Sequence, residues 1–77
     1  MLIYVRTVTC KSIGIDVELS DTILAIKEMI YGKEGLPVHQ QRLWYEAKCL
    51  DNERSLADYN IKKEAVLLVL LDDSDAS

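Results

Sequence analysis

The chain has 77 residues, of which 49% are hydrophobic and 29% are charged, a composition typical of one small globular domain and not of a disordered or fibrous chain. With 9 Lys and Arg against 13 Asp and Glu, the net charge is -4, which argues against nucleic acid or an anionic membrane as the main partner. Cys10 and Cys49 are far apart and His39 is the single histidine, so the ligands of a structural zinc site are lacking.

The two cysteines could form one disulfide, but two free thiols in a reducing compartment are the better interpretation. No stretch approaches the ~18 apolar residues of a membrane span, and a strand pattern replaces a signal peptide at Met1. We therefore expect an intracellular protein of the cytoplasm or nucleus, monomeric as an isolated domain, that binds no membrane and needs no cofactor.

Residues 1–18 predict a β-hairpin. Met1, Ile3 and Val5 alternate with Leu2, Tyr4 and Arg6, and residues 13–18 alternate in the same way. A period of two residues is typical of strands. The connection at residues 7–11 is short, so we expect the two strands to pair antiparallel.

A helix is predicted over Ile23–Glu34. The side chains of residues 20–22 can accept hydrogen bonds from the first free amides of the helix. Gly35 supplies a left-handed stop, and Pro37 cannot continue the helix. The helix would bury a stripe at helical spacing that consists of Ile23, Ile26 and Ile30.

The second half of the chain predicts two or three more strands. Leu43 and Tyr45 point inward around an outward Trp44, a turn follows, and residues 48–50 form a short strand. Residues 51–65 are polar and irregular, whereas the continuously apolar Val66–Leu71 is typical of a central strand. We expect the irregular segment to be anchored in the core by Leu56, Tyr59 and Ile61. We expect residues 72–77 to form an acidic tail or the start of a linker.

A hairpin, one helix and then strands of which the last is central predict an α+β, β-grasp fold, with a mixed sheet of four to five strands packed on one helix. The chain also resembles the ubiquitin family from residue 1 to residue 71 without a gap. The matching segments, in the same order and register, include Lys33-Glu34-Gly35-Leu36-Pro37, Gln40-Gln41-Arg42-Leu43 and Asp58-Tyr59-Asn60-Ile61.

The resemblance implies conjugation through a terminal diglycine after a basic tail, but residues 72–77 read Asp-Asp-Ser-Asp-Ala-Ser. An activating enzyme that reads a cationic tail would repel this segment. We expect a non-conjugated interaction domain, not an enzyme, at the N-terminal end of a larger protein. Its expected partners are ubiquitin-associated domains, ubiquitin-interacting helices and proteasomal receptors. The alternatives are a conjugatable modifier whose diglycine lies further along, or a structural module packed on its own host.

The resemblance also implies an apolar protein-binding patch on the sheet. Strand alternation independently places three of its residues on the face away from the helix. Arg42 and Lys48 would flank the patch and meet acidic residues of a partner. The alternative is that a loop or the tail covers Trp44. The four expected patch residues are Val8, Trp44, Leu68 and Leu70.

Other surface residues carry weaker hypotheses. Leu24 and Tyr31 on the outer helix face would pack on a neighbouring domain or form a second site, although isolated exposed apolar residues are common. Five lysines match linkage sites of ubiquitin and are either ubiquitin acceptors or ordinary surface cations: Lys11, Lys27, Lys33, Lys48 and Lys63.

Overall fold

Five strands form one mixed sheet against which a single helix packs, in a computed structural model that describes residues 1–71. The elements in chain order are β1 (Leu2–Arg6), β2 (Ser12–Asp16), α1 (Ile23–Glu34), β3 (Gln41–Tyr45), β4 (Lys48–Cys49) and β5 (Val66–Leu71). The strand order in the sheet is β2-β1-β5-β3-β4. Two short 3-10 turns, Val38–Gln40 and Ala57–Tyr59, interrupt the connections.

The helix begins and ends where its capping residues predict. The Ala25 N–H donates to Thr22 Oγ1 at 3.2 Å, which satisfies one free amide of the first turn. Gly35 adopts a left-handed φ of 72°, and its N–H donates to the Tyr31 carbonyl at 2.8 Å. The predicted bounds are confirmed, and the predicted isoleucine stripe of this helix is fully buried.

The predicted hairpin and the central position of the last strand are also confirmed. β1 pairs antiparallel with β2 and parallel with β5, while β5 pairs antiparallel with β3. The apolar run of β5 does not reflect burial on both faces, however. Leu67 and Val69 are buried, whereas Val66 and Leu68 are exposed. The sheet therefore has one covered face and one open face that is unusually apolar along β5.

The core lies between α1 and the covered face of the sheet and includes the irregular segment at residues 51–65. Two of the three predicted anchors, Leu56 and Ile61, are fully buried, and Tyr59 is half-buried with its hydroxyl accepting from the Asp51 N–H at 2.9 Å. The buried apolar residues are Ile3, Val5, Ile15, Val17, Ile23, Ile26, Ile30, Leu43, Leu50, Leu56, Ile61, Leu67 and Val69.

Some limits differ from the sequence prediction. β4 ends at Cys49, and Leu50 leaves the strand to enter the core. Cys10 and Cys49 are exposed free thiols. Among residues 1–71, no helix is long and apolar enough to cross a membrane, and no group of three His, Cys, Asp or Glu side chains is placed to hold a metal ion. The predicted tail at residues 72–77 lies outside the described residues.

Candidate functional site

The open face of the sheet brings together four of the residues singled out from the sequence. Trp44 in β3 lies directly opposite Leu68 in the antiparallel neighbour β5, and Arg42 lies opposite Leu70. Residues directly opposite each other on paired strands share a face. Leu68 also pairs with Arg6 in the parallel neighbour β1. One row of side chains across three strands therefore consists of Trp44, Leu68 and Arg6.

This row forms the floor of a shallow depression of about 460 Å³, which we call the Trp44 groove. Apolar side chains dominate its lining, and a single cation and a single carboxylate stand at its edges. Apolar surface left uncovered on a small domain commonly marks an interaction site. The groove is lined by Arg6, Trp44, Glu46, Ala47, Val66, Leu67, Leu68 and Leu70.

Trp44 is half-buried in the groove instead of standing free on the open face. Its ring nitrogen Nε1 is buried and has no hydrogen-bond acceptor among residues 1–71. A buried donor without an acceptor costs about 1–3 kcal/mol, because the group has lost water and gained nothing in exchange. The position of the indole therefore lowers the stability of the folded domain.

The turn beside the groove is also unfavourable. Glu46 and Ala47 connect β3 to β4 with φ angles of 50° and 68°. Two consecutive left-handed residues suit a two-residue hairpin turn, which normally takes Asn or Gly at these positions. A residue with a Cβ pays about 1–2 kcal/mol for this conformation. Neither Glu46 nor Ala47 has the conformational freedom of glycine, so the strain of the turn remains.

The remaining predicted site residues lie outside the Trp44 groove. Val8 is 58% exposed in the loop between β1 and β2, where it lines a separate depression of about 250 Å³ with Leu36 and Leu71. Lys48 is exposed and pairs with Tyr45 at the start of β4. Arg42 lies on the open face but lines a third depression. The structure thus gathers Trp44, Leu68 and Leu70 in the groove, with Arg42 beside them and with Val8 and Lys48 outside the groove lining.

The third depression, of about 510 Å³, is lined in part by Lys27, whose pKa is shifted. Lys27 is 7% exposed, and its burial lowers the pKa below the usual 10.5; Cys49 and Asp51 oppose this effect and Arg42 adds to it. The carboxylate of Asp51 pairs instead with Arg54, at 3.7 Å. Lys27 therefore carries a buried cation with weak compensation.

Comparison with known proteins decides the family. The model of the Ubiquitin family matches residues 3–74, which include the helix and all five strands except Leu2 at the start of β1. The chain belongs to the ubiquitin family. Its β-grasp fold, expected from the sequence, is the fold of this family, and the mixed five-stranded sheet on one helix agrees with it.

The relatives of this ubiquitin-family domain have two kinds of architecture. NEDD8-like protein RUB3 of Arabidopsis thaliana is 44% identical over 71 residues, which cover 92% of this chain and 91% of that protein. Ubiquitin-like protein NEDD8 of Dictyostelium discoideum is 41% identical, with 92% of each chain covered. Ubiquitin domain-containing protein 7SL RNA2 of Arabidopsis thaliana is 35% identical over 97% of this chain but only 28% of its own length.

Five residues that line the groove of this ubiquitin-family domain were not predicted as site residues: Arg6, Glu46, Ala47, Val66 and Leu67. Arg6 and Val66 could have been found, because strand alternation places Arg6 with Tyr4 and places Val66 with Leu68 on one face. Glu46 could not, since it reaches the groove through the left-handed turn that follows β3.

Proposed function

We propose that this ubiquitin-family domain is a non-conjugated protein-interaction module. It docks a larger host protein onto ubiquitin receptors, including those of the proteasome, and partners contact the Trp44 groove. The observation that carries the proposal is the convergence of Trp44, Leu68 and Leu70 in one groove on the face opposite the helix. Tryptophan is among the commonest residues that dominate binding energy in protein interfaces.

The charges around the groove support a partner with acidic residues. Arg6 lines the groove itself, and Arg42 lies beside it on the same face, opposite Leu70. Glu46 is the one carboxylate in the lining. A small groove with a charged edge favours weak, rapidly exchanging binding, in which the charges set orientation and association rate more than affinity.

A residue-resolved NMR titration tests this proposal. The probes are a ubiquitin-associated domain and a ubiquitin-interacting helix peptide. We expect shifts centred on Trp44, Leu68 and Leu70, and a loss of affinity of about 30-fold in Trp44→Ala, corresponding to ~2 kcal/mol. Amide spectra of the free variant establish that it is folded.

Tyr31→Ala is the matched control, because Tyr31 is an aromatic residue that is 56% exposed on α1, away from the groove. It should bind the probes as the unmodified domain does. Absence of shifts at millimolar probe would contradict the proposal and favour a module packed on its own host. Equal losses in both variants would show that the groove has no special role.

A second candidate function is a conjugated modifier. The RUB3 and NEDD8 relatives are covered over 91% and 92% of their lengths, so small proteins of this size occur among the relatives. Against this candidate, residues 72–77 are acidic where the family's conjugated members carry a basic tail and diglycine. The full gene product, incubated with ATP and a ubiquitin-type activating enzyme, distinguishes the two: a reducible thioester would establish the modifier.

A further inference from the structure

Two hydrogen-bond donors without protein acceptors flank Leu68 on the open face. Trp44 Nε1 is buried and unpaired. Arg6 is exposed, and its guanidinium has no ion-pair partner among residues 1–71. Leu68 is the registered neighbour of both residues, from β3 on one side and from β1 on the other.

The spacing of the row suits a ligand with two oxygen atoms. Adjacent strands lie about 4.8 Å apart, so the backbones of Trp44 and Arg6 are separated by two such steps. Both side chains are long and can extend over the shorter Leu68. A carboxylate presents two acceptor oxygens, and a guanidinium binds such a group with charge-assisted hydrogen bonds.

We propose that a partner places one carboxylate side chain over Leu68, where it accepts hydrogen bonds from Trp44 Nε1 and from the Arg6 guanidinium. This inference rests on the proposed function, since it names the chemistry of the partner at the same groove. The same partner places an apolar side chain in the rest of the groove, against Leu70.

Glu46 makes a carboxylate a better occupant than a phosphate. It lines the same groove, so an approaching anion meets one cation and one carboxylate of the domain. A phosphate monoester carries nearly two negative charges at neutral pH and would be repelled more strongly than a carboxylate with one. Glu46 itself does not accept the Trp44 N–H, which leaves that donor available to the partner.

Docking requires the indole to move. Since Trp44 Nε1 is buried in the free domain, the ring must turn outward before a partner oxygen can reach the N–H. The free domain then exchanges an unpaired donor for a paired one, which favours the bound state. An outward turn also widens the groove for the apolar side chain of the partner.

The experiment follows the indole N–H resonance during titration with a ubiquitin-interacting helix peptide. A second set of peptides has each Asp or Glu replaced by the corresponding amide. We expect the resonance to move downfield with the original peptide and with the amide versions, of which only one, the critical amide peptide, should bind more weakly. Arg6→Gln and a semisynthetic domain with benzothiophene replacing the Trp44 indole should each bind about tenfold more weakly.

Combining the domain variants with the critical amide peptide tests whether the loss of binding affinity arises at the same carboxylate. Against the one critical amide peptide, Arg6→Gln should bind within about twofold of the unmodified domain, because the negative charge that Arg6 contacts is already gone. The benzothiophene domain should still lose affinity for this peptide, because the amide oxygen can accept the Trp44 N–H. Lys33→Gln is the control for charge loss alone, since Lys33 is exposed in the last turn of α1; it should leave the affinity unchanged.

The outcomes separate this inference from the proposed function. If Leu68 and Leu70 shift but the indole resonance does not, and the benzothiophene domain binds normally, the carboxylate site is wrong while the docking function stands. If no peptide shifts any residue, the docking function is wrong and the carboxylate site is wrong with it. If every amide peptide loses affinity equally, the attraction is diffuse and no single carboxylate is bound.

Discussion

Replacing Ala47 by Gly should stabilise the domain, because residue 47 holds a left-handed backbone with a φ of 68°. The steric cost for a residue with a Cβ is about 1–2 kcal/mol. Glycine removes that cost but loses about 0.5–1 kcal/mol more conformational entropy on folding. Ala47 is exposed, so removing its methyl group leaves the core intact. The net expected gain is about 0.5–1 kcal/mol.

Urea and thermal unfolding, followed by far-ultraviolet circular dichroism, measure this gain. For a domain of this size it corresponds to a rise in Tm of about 2–8 °C. The matched control is Ala25→Gly, the same chemical change within α1, where Ala25 donates to the capping Thr22. Glycine in a helix is less stable than alanine, so the control should lose about 0.5–1 kcal/mol.

The signs of the two changes in the free energy of unfolding test whether the turn is strained. If Ala47→Gly is neutral or destabilising while Ala25→Gly destabilises as expected, the turn between β3 and β4 is not strained. If both variants stabilise the domain, the gain is not specific to the left-handed turn. A gain confined to Ala47→Gly supports the turn as a local cost of the fold.

Three further changes test the helix, the core and the buried cation. Thr22→Ala removes the acceptor for the first turn of α1 and should cost ~1 kcal/mol in the free energy of unfolding, measured by urea denaturation. Leu67→Ala empties a fully buried position of the central strand and should cost about 2–5 kcal/mol by the same measurement. Lys27→Met should stabilise the domain at neutral pH by on the order of 1 kcal/mol, because burial lowers the pKa of Lys27 and penalises its charged form. Between the lowered pKa and 10.5, the folded state binds fewer protons than the unfolded chain, so the unmodified domain gains stability as the pH rises. The stability advantage of Lys27→Met should therefore shrink as the pH rises through this range. An advantage independent of pH would show that the charge of Lys27 is not its cause.

The helix, the hairpin and the central position of the last strand could be predicted because their signals are local and mutually consistent. A capping threonine, an isoleucine stripe and a glycine with left-handed φ agree on the limits of α1, and strand alternation agrees on the two faces of the sheet. The continuously apolar run of Val66–Leu71 predicted that β5 is central, although one face of β5 is open. Where several levels of sequence information agree, prediction is reliable.

The detailed shape of the groove could not be predicted, since it depends on turns and side-chain packing. The resemblance implied that Val8 joins Trp44, yet the loop between β1 and β2 places Val8 toward Leu36 and Leu71. In that loop the Thr7 N–H donates to the Lys11 carbonyl at 2.8 Å, and Cys10 has a φ of 63°. Alternation likewise placed Trp44 outward, but the buried ring nitrogen depends on the rotamer that its neighbours allow.

Several unfavourable features of this domain lie beside the Trp44 groove, although left-handed residues also occur elsewhere, at Cys10, Asn60 and Glu64. The left-handed Glu46 and Ala47, the unpaired Trp44 N–H and the exposed Leu68 all lie along its lining. Each costs free energy in the isolated domain, and each could be relieved by a change that leaves the core untouched. Local costs of this kind persist where the surrounding fold enforces them, and they are most often found at functional sites. A partner that covers Leu68 and supplies an acceptor to Trp44 would remove two of these costs at once. We therefore expect binding at this groove to lower the free energy more than binding at the exposed helix face with Leu24 and Tyr31.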